Sequence, residues 1–81
     1  MATSVTILAA NTARKGAAVQ NDSGSAVLYL RLSAVAATAA SGGHTVALAA
    51  GAYYEAPFSY AGAITGIWAS AAGFANVTEV I

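Results

Sequence analysis

The sequence predicts an all-β domain, a single small antiparallel β-sandwich or barrel of about seven short strands. Three observations lead there. Short β-branched or alternating runs recur at close intervals, most clearly in "AVLYLRLS", where Leu28, Leu30 and Leu32 alternate with Val27, Tyr29 and Arg31. Glycines fall between such runs, where strand turns need them. No window sustains apolar residues at i, i+3, i+4 and i+7 flanked by charges, as an amphipathic helix requires.

Taken in order, "TSVTILA" (Thr3 to Ala9) is β-branched and forms the first expected strand, which ends before Asn11. It could serve as an arm exchanged with, or packed on, a neighbouring chain. "GAAVQN" (Gly16 to Asn21) is the second strand, and "NDSGS" is a turn: Asn, Asp and Ser bond back to nearby backbone, and Gly24 accepts a positive φ. "AVLYLRLS" is the third. The alanines of Ala34 to His44 favour helix, but only about seven residues precede Gly42-Gly43, too few for a stable one, so a loop with at most one helical turn is expected. "HTVALA" gives strand four, and Gly51 turns the chain into strand five, which Pro57 confines to an edge or an end. "YAGAITGIWAS" supplies a turn and strand six, "AAG" a turn, and "FANVTEVI" strand seven.

Eighty-one residues make one domain, residues 1–81, and a domain this small buries only about 60–65% of the surface its unfolded chain exposes. Small scaffolds compensate with disulfides, metals or oligomerisation. With no cysteine and one histidine, oligomerisation is the remaining route. The hydrophobic fraction is 58% and the charged fraction 7%, too little charge to cover a monomer's exterior, so other chains are expected to cover part of it.

Composition also weighs against several functions. Net charge is zero, Arg14, Lys15 and Arg31 standing against Asp22, Glu55 and Glu79, so no basic field exists for nucleic acid. The positive pair Arg14-Lys15 follows the short apolar segment of the N-terminus, the reverse of a secretion signal. The uncharged windows Leu32 to Tyr54 and Ala56 to Thr78 are interrupted by Gly, Ser, Thr, His or Asn and suit no membrane span.

For catalysis the sequence offers His44 in "SGGHTV", without a nucleophile context, and the pair Glu55 and Glu79, which could formally flank a sugar. Neither is supported by further motif residues, so no catalytic residue is expected. No ligand set for zinc or calcium and no phosphate-binding glycine loop is present, so no metal and no cofactor is expected either.

The large side chains crowd into "GAYYEAPFSYAGAITGIWAS". In a chain otherwise made of small residues, these must supply bulk for the core, and a subset could form an interface or bind a glycan. Adjacent Tyr53 and Tyr54 must point to opposite faces. Tyr29, Tyr53, Tyr60 and Trp68 are the interface or binding candidates. Arg14, Arg31, Glu55 and Glu79 are the salt-bridge candidates, because a partly buried charge needs a partner.

These residues carry a resemblance. "RKGAAVQNDS", "LYLRL", "GAYYEAP", "YAGAITGIW" and "VTE" resemble, in the same order, motifs of a group of small β proteins encoded by tailed bacteriophages and prophages. The similarity covers Asn11 to Val80, and the chain departs from the group in extra alanines at Ala36-Ala37 and Ala71-Ala72. The resemblance implies a non-enzymatic structural part of a virion assembled in the bacterial cytoplasm: a capsid decoration or cement protein, a head fibre or spike component, or a small tail module. Its partners would be itself, with a trimer favoured, and the major capsid protein or another virion protein. No nucleic acid or membrane partner is implied, and the alternative is a tail-associated module that binds host glycan.

Overall fold

The computed structural model describes residues 4–57, 59–69 and 73–81. The parts of the expected elements that fall on Thr3, Phe58 and residues 70–72 lie outside the described residues. Seven strands are present: β1 (Val5–Leu8), β2 (Gly16–Asn21), β3 (Leu28–Arg31), β4 (Val46–Leu48), β5 (Tyr53–Glu55), β6 (Ile64–Trp68) and β7 (Ala75–Val80). They form two antiparallel sheets, one in the order β1-β6-β3-β4 and the other in the order β5-β2-β7. No helix occurs among the described residues. Neither sheet closes on itself, so the barrel form of the prediction does not apply; the fold is sandwich-like.

Strand alternation explains which residues become core. In β2, Ala17, Val19 and Asn21 are buried while Gly16, Ala18 and Gln20 are not. In β3, Leu28 and Leu30 are fully buried, with Tyr29 and Arg31 half-exposed between them. These inward residues join Leu48, Ile64 and Trp68 in one hydrophobic cluster to which both sheets contribute, with Tyr54 and Tyr60 packed against it. Gly66 of β6 sits where Ile7 and Leu28 approach: an added Cβ would stand 3.0 Å from Ile7 Cγ1 and 3.2 Å from Leu28 Cδ1. A larger residue there would need both side chains to give by a few tenths of an ångström.

Strand β6 is buried along its whole length because its second face is also covered. The segment after β3 folds over it: Thr65 Oγ1 donates to Val35 O at 2.8 Å, and Ala37 N donates to Ser4 Oγ at 3.1 Å. Ala37 is 1% exposed as a result. In place of the helical turn the alanines allow, a β-turn closes this segment, with Gly43 N donating to Ala40 O. Seven residues, five of them alanine, cannot repay helix nucleation when the same backbone groups find partners on a sheet.

β1 pairs antiparallel with β6. A further difference is local. The turn after β2 does not use Gly24 in a left-handed conformation; the positive-φ glycines among the described residues are Gly42 and Gly51. Side chains shape that turn instead. The Asn21 amide donates to Ala26 O (2.8 Å) and Leu48 O (2.9 Å), and its carbonyl accepts from Ser23 N, Ser23 Oγ and Trp68 Nε1. Asn21 is 0% exposed, so this is a satisfied buried polar hub joining β2, β4 and β6.

Candidate functional site

The clearest concavity lies on the outer face of the sheet β5-β2-β7, with a volume of about 460 Å³. Its origin is a side-chain pattern. The central strand β2 turns only Gly16 and Ala18 to that part of the face, while β5 contributes Tyr53 and Glu55 and β7 contributes Thr78 and Val80. Small residues in the middle with larger ones on either side make a groove. Lys15 stands at its end. The floor is apolar and the rims carry a phenol, a carboxylate, a hydroxyl and an ammonium group, with Tyr53 61% exposed.

Arg14 and Lys15 are neighbours with opposite fates. Lys15 is exposed at the groove, whereas the Arg14 side chain is wholly buried on the other side. Its Nε donates to Glu79 Oε2 at 2.7 Å, one terminal nitrogen donates to Gly62 O (2.7 Å) and Tyr60 O (3.4 Å), and the other to Ala9 O. One guanidinium thus ties the segments before β2 and β6 to β7, a task that suits its planar fork of donors.

Of the four salt-bridge candidates, the structure brings together Arg14 and Glu79, the only ion pair among the described residues. Glu55 lies in the groove, on the opposite face of the sheet from Glu79: their β2 partners are the adjacent residues Ala18 and Ala17. Two carboxylates on opposite faces cannot flank one sugar. Arg31 reaches Ala36 O at 3.5 Å. His44 stacks on Tyr29 with ring centroids 4.8 Å apart at 56°, and its Nδ1 lies 3.0 Å from Thr38 O.

The aromatic candidates separate. Tyr53 is exposed in the groove, and Tyr29 is half-buried against His44. Tyr60 is half-buried and its hydroxyl donates to Ala63 O at 2.7 Å. Trp68, counted among the binding candidates, is turned into the core at 9% exposure with its indole N–H on Asn21. An indole is too large to leave outside when the rest of the core is Ala, Val and Leu.

Sequence reasoning missed Lys15, Gly16, Ala18 and Thr78 as groove residues, and Asn21 as a hub. The signal for the groove was available: small residues at alternate positions of a central strand leave its outer face hollow. No family model matches the chain, and no curated protein or solved structure matches it.

Proposed function

We propose that the chain is a non-enzymatic structural protein of a tailed-phage particle, a capsid decoration, cement or head-spike protein that acts by self-association and by binding the capsid surface. The observation that carries this reading is the exterior of the β5-β2-β7 sheet. Tyr53, Phe74 and Val80 are exposed there with Ile81 beside them, while Lys15 and Glu55 are the charged residues of the groove. Apolar surface of this kind marks an interaction site. The motif resemblance supplies the setting, a virion assembled in the host cytoplasm. Mass spectrometry of purified particles, followed by image reconstruction, tests it. The chain is expected at symmetric positions on the capsid; particles that lack it, or purified protein that does not co-sediment with capsids, would sink the proposal.

Tyr53 beside Glu55 favours a second reading, a tail-associated module that binds host glycan. An exposed ring can stack on a sugar face while a carboxylate accepts its hydroxyls. Binding on a glycan array that disappears in Tyr53→Ala would support this reading, and an array without hits would remove it.

A further inference from the structure

Sheet edges need protection from other chains, and the four edges here differ. β1 carries a register irregularity between Thr6 and Leu8. β4 and β5 are three residues long, and Pro57 follows β5. β7 has six residues in unbroken register with β2, contains no proline or lysine, and is exposed over nearly all its length. Its one charge, Glu79, is already held by Arg14.

The hydrogen-bond phase shows which groups of β7 are free. Asp22 N donates to Phe74 O in continuation of the β2–β7 register, which places the bonding groups of residues 74, 76, 78 and 80 toward β2. On its other side β2 uses Asn21 N toward Ala52 O and Ala17 O toward Ala56 N, so its odd residues serve β5 and its even residues serve β7. The backbone groups of Ala75, Val77 and Glu79 therefore point away from the sheet.

We propose that this edge binds a second copy of itself, β7 against β7 about a twofold axis at Val77, giving a continuous sheet β5-β2-β7-β7-β2-β5. In that register Val77 faces Val77, and Ala75 faces Glu79 of the second copy, each pair exchanging two backbone bonds. Between them Asn76 faces Thr78, and Phe74, 59% exposed, faces Val80, 53% exposed. The large apolar residues meet apolar ones, the small Ala75 lies beside Glu79, the uncharged polar pair Asn76 and Thr78 meet each other, and no charge stands opposite a like charge. Other registers of the same phase are poorer. A shift of two residues sets Val80 against Asn76 or Phe74 against Thr78, and a shift of four in one direction opposes the two Glu79 side chains. The pairing is a twofold in place of a trimer. It makes specific the self-association proposed above and rests on that reading only for its setting.

The test is the mass of the purified full chain by light scattering or sedimentation over a concentration series, with no particle present. The wild type is expected to approach twice its 7.9 kDa mass. Val77→Pro removes an N–H that bonds nothing among the described residues, and should weaken the dimer about tenfold or more while leaving the fold intact. The chain has no cysteine, so a second measurement fixes the register. Oxidising a mixture of Phe74→Cys and Val80→Cys should give a cross-linked heterodimer, whereas neither variant alone should cross-link. This second measurement decides if the proline variant does not fold. A monomer throughout, a dimer indifferent to Val77→Pro, or cross-linking of either single variant alone would overturn the pairing. Monomers that still co-sediment with capsids would overturn it without touching the particle role, and dimers that ignore capsids would do the reverse.

Discussion

Arg14 and Asn21 are polar residues, yet they hold apolar parts of the molecule in register. Glu79→Ala would leave the Arg14 guanidinium excluded from water without its counter-charge. Breaking a buried pair from one side costs about 3–5 kcal/mol, and the lower end is expected because the Glu79 side chain keeps 29% of its exposure. Urea unfolding should show the loss as a lower midpoint with an unchanged slope. Asn21→Leu would take the acceptor from the Trp68 indole N–H and from Ser23 N and remove one donor each from Ala26 O, which keeps Ser23 Oγ, and Leu48 O. Each unsatisfied buried group costs about 1–3 kcal/mol, so this variant should be the more damaging of the two in the same assay. Gly66→Ala tests packing instead of polarity. Its Cβ presses on Ile7 and Leu28, and overpacking of this kind costs about 1–3 kcal/mol, read as a lowered thermal midpoint.

At the scale of elements, legibility depended on whether the determining signal was local. β2 spans the Gly16 to Asn21 expected of it, because a turn-forming run follows and alternation runs between. The strand read from "AVLYLRLS" is real but shorter, since Ala26 O is held by the Asn21 amide and Leu32 N bonds to Thr45 Oγ1. The partition into sheets was not legible. Nothing in "TSVTIL" specifies β6 as its partner, and nothing in "GAAVQN" specifies β7, because pairing over such separations is fixed by shape and burial once the chain has collapsed. The candidate site divides the same way. Arg14 and Glu79 could be narrowed to a few pairings from scarcity of charge, and Tyr53 and Tyr54 do point to opposite faces. That the large residues of this stretch would supply core bulk was legible from the scarcity of others, but which of them turn inward, as Trp68 does, shows only in the assembled sheets. If β7 pairs with its own copy, substitutions on the outward positions of that strand should act on association more than on the stability of the single chain. Asn76→Lys would set a cation near the axis and weaken the dimer at low salt more than at high salt, as a sedimentation series in sodium chloride would show.

For the whole molecule, a thin core and a nearly uncharged exterior are one circumstance seen from two sides. The hydrophobic cluster is built from a few medium-sized side chains with Ala and Val between them, and several large apolar residues stay outside. If copies associate, native molecules are favoured by mass action, so the thermal midpoint should rise with protein concentration. A midpoint independent of concentration across two decades would contradict association in that range. The pairings of β1 with β6 and of β2 with β7 carry a further consequence, for synthesis on the ribosome. Neither sheet holds a ladder that an early portion of the nascent chain can complete alone, except the small one between β3 and β4. The polypeptide must emerge almost to Val80 before β2 gains its longest partner. Folding is then set by the closing of long loops, which places its rate toward the millisecond-to-second end for small domains. Until their partners emerge, "VTIL" and "GAAVQN" are unpaired strand formers, which gives chaperones their time to act.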